Sequence, residues 1–307
     1  MYKRSQVRKT ENQKNKDQVT LGLIQMSASD DPEANLVKAL AQIRVAARKG
    51  AQIVCLQELF RSKYFCQTED TRNFKLAESI PGASSEALGS LAKEKRIVIV
   101  ASLFEKRSAG IYHNTAVVID ADGAIIGKYR KMHIPDDPFY YEKFYFTPGD
   151  LGFPGFQTRY AKVGVLVCWD QWFPEAARLA SLAGAQILFY PTAIGWVPNE
   201  TRPVAQNQRT AWELIQRSHA VANSIYVASV NRVGREGKLK FWGSSFVAGP
   251  FGEMVAQASW DRDEVLLATC DLGKIEETRQ NWPFLRDRRV DAYGSLQARF
   301  VEESSGS

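Results

Sequence analysis

Cysteine and histidine are scarce: the 307 residues contain four Cys and three His. Cys55, Cys66, Cys168 and Cys270 are too few and too scattered for a disulfide framework. No C-x-x-C, H-x-x-x-H or H-E-x-x-H occurs, which removes the common zinc spacings. The glycine patterns of dinucleotide sites and P-loops are missing, and so is the G-x-S-x-G elbow of serine hydrolases. No window approaches the roughly 18 consecutive apolar residues of a membrane helix. The first 17 residues lack the apolar core of a secretory signal. A reduced, cytoplasmic protein is the expectation.

Charge is close to balanced. The formal net charge is +6, which invites a nucleic-acid or membrane partner. Residues 1–17 hold six Lys/Arg against two acids, and the remainder holds 34 basic and 32 acidic groups. The excess therefore sits in a polar extension, expected to be disordered, and the body offers no phosphate-binding stripe.

What is present is an alternation of apolar, strand-length runs with amphipathic stretches. Strands are expected at 18–26, 51–59, 97–105, 112–120, 124–131, 163–168, 186–193, 225–232, 243–250, 253–259 and 264–272. Helices are expected from Asp30 to Gly50, over 85–96, from Pro174, over 203–222 and over 274–287. Asp120-Ala121-Asp122-Gly123 marks a hairpin. No linker or internal repeat divides the chain, so the pattern implies one α/β domain over 18–300, helices outside, with loose ends at 1–17 and 301–307.

Three polar residues end apolar strands, where loops build sites on α/β sheets. Cys168 closes VGVLVC just ahead of a helix whose first turn holds Pro174 and Glu175. A helix N-terminus favours a thiolate, which makes this cysteine the candidate nucleophile. The other three cysteines read as small buried hydrophobes. Glu58 ends IVCLQ, where desolvation tunes a carboxylate toward general-base work near neutral pH. Lys131, in AIIGKYRK, shares a strand face with Ile125 and Tyr129, whereas Lys128 and Arg130 share the other. An ammonium on that face can offset an oxyanion. The plainer alternatives are a solvated acid for Glu58 and a solvated basic cluster for Lys131.

Together these residues resemble the Glu-Lys-Cys triad of the nitrilase superfamily of carbon–nitrogen hydrolases. QELFRSKYFCQ (57–67), YRKMHIPDD (129–137), YYEKFYFTPGD (140–150), CWDQWFPEAAR (168–178), YPTAIG (190–195) and WPFLRDRR (282–289) are similar to its N-carbamoylputrescine amidohydrolase branch. The similarity runs from about residue 18 to 300. It implies a four-layer α-β-β-α sandwich with Cys168 as nucleophile, Glu58 as general base and Lys131 as oxyanion stabiliser. It also implies Glu142 as an additional active-site acid, Tyr64 as a pocket residue, and the Trp169 backbone N–H as a second oxyanion donor. His133 is expected to support the site rather than act as its base. The implied reaction is hydrolysis of N-carbamoylputrescine to putrescine, ammonia and carbon dioxide, in polyamine biosynthesis, without cofactor or metal. The implied assembly is a homo-oligomer whose C-terminal arm crosses the interface. The alternatives are another ureido or amide substrate, such as N-carbamoyl-β-alanine or an ω-amide, and, more remotely, a non-catalytic scaffold. One departure falls beside the pocket: many relatives follow YPTAIG with Ser-Glu-Pro, whereas this chain has Trp196-Val197-Pro198-Asn199-Glu200. Glu200, Asp136 and Asp137 are the acids left to meet a substrate amine.

Overall fold

The computed structural model describes residues 17–301. The expected loose ends lie outside these residues, save for Asp17 and Val301.

Two six-stranded sheets organise the chain. The first contains β1 (Gln18–Gln25), β2 (Ile53–Leu56), β3 (Val98–Ser108), β4 (Ile111–Ile119) and β5 (Ile125–Arg130). After a two-residue pairing of β6 (Asp136–Asp137) with β7 (Tyr140–Tyr141), the second is built from β8 (Gly155–Gln157), β9 (Lys162–Val165) and β10 (Ile187–Pro191). A small sheet is formed by β11 (Gly195–Trp196) with a later hairpin. β12 (Tyr226–Val230) returns to the second sheet, and that hairpin, β13 (Val233–Glu236) and β14 (Leu239–Trp242), follows it. β15 (Phe246–Ala248) and β16 (Met254–Gln257) complete the second sheet, and β17 (Glu264–Asp271) crosses back to the first. The orders are β17-β1-β2-β3-β4-β5 and β16-β15-β12-β10-β9-β8. Both have a parallel centre, β1-β2-β3 and β12-β10-β9, with antiparallel flanks.

Period-two alternation explains how the sheets stack. Leu21, Leu23, Ile53, Cys55, Val98 and Val100 join a core with Val163, Val165, Ile187 and Phe189 of the other sheet. Their alternates Ile24, Val54, Leu56, Ile99 and Ala101 pack on α1 (Pro32–Arg48) and α2 (Ala83–Lys95). Ala176, Ala177 and Ala180 of α3 (Pro174–Leu182) and Trp212 and Ala220 of α4 (Arg202–Asn223) cover the second sheet. The result is the four-layer α-β-β-α sandwich. Asp31 caps α1 by accepting the Glu33 N–H at 2.9 Å, with Pro32 in the first turn. Gly22 lets α1 approach: a Cβ there would lie 2.9 Å from the Ala46 methyl.

The last helix, α5, spans only Gly273–Asn281, not 274–287. Pro283 disfavours helical backbone at Trp282, whose φ and ψ are -130 and 82. The β13–β14 hairpin has no counterpart among the expected strands. Its turn uses Gly237 at φ +54, a signal carried by one glycine among charged residues.

Candidate active site

The site forms where strands of both sheets end. β2 stops at Leu56, and Glu58 lies in the following turn rather than in the strand. Leu59, the next residue, has φ +47. Fully buried Arg232 holds this turn, donating from Nη2 to the Glu58 and Leu59 carbonyls at 2.9 and 2.8 Å and from Nη1 to the Ser62 carbonyl at 2.8 Å. Glu236 neutralises that guanidinium. Lys131 follows β5, its own N–H donating to the Asn114 carbonyl at 2.9 Å. β9 ends at Val165, earlier than expected, and Cys168 opens the 3-10 turn Cys168–Trp172 with φ +45. Left-handed backbone at a cysteine is strained and must be held by its surroundings. Asp170 does this, accepting from Val167 N–H at 2.8 Å, His133 N–H at 3.0 Å and Tyr129 Oη at 2.8 Å. His133 Nδ1 lies 2.7 Å from the same carboxylate, and its ring stacks on Phe173.

Lys131 sits between two carboxylates. Its Nζ donates to Glu58 Oε1 at 2.9 Å and to Glu142 Oε2 at 2.6 Å, and all three side chains are fully buried. Tyr64 Oη donates to the other Glu142 oxygen at 2.6 Å. Asn114 Nδ2 donates to Glu58 Oε1 at 2.7 Å, whereas Glu58 Oε2 is buried with no partner. Cys168 is buried, its Sγ 3.9 Å from the Ala193 carbonyl, and it feels the charges of Glu58, Lys131 and Glu142.

Burial pulls Lys131 toward its neutral form, but the charges of Glu142, Glu58 and Cys168 outweigh it and push its pKa well up. The lysine is a fixed cation. Burial raises Glu142 to about 7 against the pull of Lys131, with the Glu58 charge adding to the rise. For Cys168 the expectation of a favoured thiolate is corrected. Burial and the Glu58 charge push the thiol well above its ordinary value, and Lys131 offsets this only in part. A 3-10 turn separates the cysteine from α3, and desolvation dominates. The group rests as a thiol.

The structure thus unites Glu58, Lys131, Glu142 and Tyr64 in one hydrogen-bonded cluster with Cys168 in its field. Glu142 pairs with Lys131 rather than with Lys143, its neighbour in the chain. The KYRK run is not a solvated patch either: Lys128 and Arg130 both bind Glu105, on the face opposite Lys131. The ring of Tyr64 packs on Tyr140 and Phe241. Trp169 follows Cys168 in the first turn, where amides have no partner within the turn, and its ring meets Trp172. Sequence reasoning missed Asn114, Arg232 and Asp170. Asn114 and Arg232 act across large separations in the chain, and Asp170 was hidden inside the motif of its neighbour. Among the described residues no group of three or more His, Cys, Asp or Glu is placed to hold a metal ion.

A buried thiol set beside a lysine between two carboxylates, at the strand ends of an α-β-β-α sandwich, defines a class: hydrolases that work through a cysteine. The family model for carbon-nitrogen hydrolases matches residues 20–280, and the chain belongs to that family. It is 45% identical over 287 residues to an N-carbamoylputrescine amidase of Solanum lycopersicum, covering 91% of this chain and 94% of that one. It is 38% identical to a citrullinase of Francisella tularensis, covering 92% and 99% of the two chains. A solved carbon-nitrogen hydrolase from Helicobacter pylori superposes with a TM-score of 0.90 at 46% identity, over 92% of this chain and all of that one.

Proposed function

We propose that this enzyme hydrolyses N-carbamoylputrescine to putrescine, ammonia and carbon dioxide, a step of polyamine biosynthesis. The similarity to the Solanum amidase over nearly the whole chain carries this reading. Glu58 Oε2, the carboxylate oxygen left without a partner, takes the Cys168 proton, and the thiolate attacks the ureido carbon. Lys131 and the Trp169 N–H hold the resulting oxyanion. The first nitrogen departs with the proton from Glu58, Glu142 assisting, and leaves a thiocarbamate on Cys168. Water, deprotonated by Glu58, attacks that carbon and releases the cysteine. The resulting carbamic acid breaks into carbon dioxide and the second nitrogen product.

The surroundings favour a cationic over an anionic tail. Of the buried arginines, Arg232 is held by Glu236 and three carbonyls, and Arg130 by Glu105 and Asp150. Neither is open to a substrate carboxylate. Glu200 fills the gap left at Val197: its Oε2 accepts the Val197 N–H at 3.1 Å, and its charge is felt by Tyr140 together with those of Cys168 and Glu58. Asp136 and Asp137 are exposed. Glu200 is therefore our choice for the ammonium.

The assembly in this reading is a cytoplasmic homo-oligomer with residues 18–300 as its hydrolase domain. Apolar side chains at Leu214, Phe251 and Phe284 are exposed around a 640 Å³ groove, which suits a second copy. No helix among the described residues is long and apolar enough to cross a membrane. Turnover of N-carbamoylputrescine, citrulline, N-carbamoyl-β-alanine and an ω-amide is the test. N-carbamoylputrescine should lead in kcat/KM, and Glu200→Gln should raise its KM selectively. Preference for an anionic substrate would overturn the assignment.

A further inference from the structure

The two oxygens of Glu58 are unlike. Oε1 takes both Asn114 Nδ2, at 2.7 Å, and Lys131 Nζ, at 2.9 Å, while Oε2 has no partner. The Asn114 amide cannot turn over. Ser102 Oγ accepts the Leu59 N–H at 3.1 Å and donates its proton to Asn114 Oδ1, 2.9 Å away. Turned over, the amide would set its oxygen against Glu58 Oε1, which already accepts from Lys131, so the nitrogen faces Glu58. Ser102, Asn114 and Glu58 are all fully buried, so water replaces none of these bonds. The chain closes on itself, running from the Leu59 N–H through Ser102 and Asn114 to the side chain of the preceding residue. The Asn114 carbonyl also anchors the Lys131 N–H. One residue thereby places both partners of the ion pair.

We infer that Asn114, held by Ser102, is a positioning residue that reserves Glu58 Oε2 as the atom that accepts the Cys168 proton. This rests on the proposed base role of Glu58. The charged or titratable groups around that carboxylate are Lys131, Glu142, Tyr140, Cys168, Tyr64 and Cys66, from four separate segments. Without Asn114, Lys131 alone orients the carboxylate, and it can be shared between both oxygens.

The experiment compares Asn114→Ala, Asn114→Asp, Ser102→Ala and Ser102→Thr with wild type. It reads kcat, KM, the pH profile of kcat/KM, and the pH-dependent alkylation of Cys168 by iodoacetamide, with folding followed by circular dichroism. Asn114→Ala should lower kcat by about 10- to 100-fold, part of the usual general-base contribution, while KM stays within about threefold. Its acid limb should move to higher pH, and alkylation at neutral pH should slow in parallel. Asn114→Asp should be slower still, because two facing carboxylates cannot both ionise. Ser102→Ala should fall between, and Ser102→Thr should restore the rate. Folded Asn114→Ala with unchanged kcat and acid limb overturns the inference, as does a rise in KM alone. If Asn114→Ala fails to fold, the Ser102 pair decides, and equal rates for Ala and Thr overturn it. Full activity in Glu58→Gln would instead remove the base role itself, so the two failures are distinct.

Discussion

At the residue scale, the cluster works because burial makes each of its members dependent on the others. Lys131 stays charged only because two carboxylates face it. Replacing it by Met would leave those carboxylates repelling one another in a dry site, and removing one partner of a buried ion pair costs about 3–5 kcal/mol. Lys131→Met is therefore expected to melt at clearly lower temperature. Any folded fraction should lose roughly two to three orders of magnitude in kcat, the usual effect of losing an oxyanion donor. A calorimetric melt beside a turnover assay separates the two. The raised thiol of Cys168 leads to a second outcome: in Glu58→Gln, turnover should fall by roughly two to four orders of magnitude even though a charge that helps raise the thiol is gone, and full turnover would show that no base is needed.

At the element scale, two turns carry the strain. The turn that opens with Cys168 in left-handed backbone is held by Asp170, which accepts from Val167, His133 and Tyr129. Asp170→Ala would orphan these buried donors, at about 1–3 kcal/mol each, so both stability and kcat should fall. Unchanged thermal stability would contradict this account of the turn. On the first sheet, Glu105 of β3 binds Lys128 and Arg130 of β5, and these bonds outweigh burial and hold its carboxyl at about 2. A depressed folded-state pKa adds stability above the ordinary carboxyl value of 4.5, and that stability is lost as pH falls toward 2. Glu105→Gln should flatten the stability profile over this interval, as melting temperatures at stepped pH will show.

The same turns explain what could be read from the chain alone. Alternation located the main strands and the helix pairs, because periodicity reports burial directly. Glu58, Lys131 and Cys168 were legible because each follows an apolar run. The site's supports were not. Asn114 meets Glu58 across 56 residues and Arg232 reaches the Glu58 carbonyl across 174, and such pairings exist only once the sheets have stacked. The helix expected over 274–287 ends at Asn281 because Pro283, through which its polar periodicity runs on, disfavours helical backbone at Trp282.

At the scale of the whole molecule, two sheets with parallel centres bring strand ends from distant parts of the chain to one place, and the net charge of +6 plays no part in that. Removing residues 1–16 should leave kcat and KM unchanged, since the matched family region begins at residue 20. The exposed apolar groove predicts that Leu214→Glu lowers the mass seen by sedimentation. The central claim is that Cys168 attacks a ureido carbon at the mouth of these sheets. Ammonia release from N-carbamoylputrescine by wild type and Cys168→Ala tests it most directly. Steady release by the wild type and none above background by the folded variant is the expected result; equal release by both would contradict a cysteine nucleophile at this position.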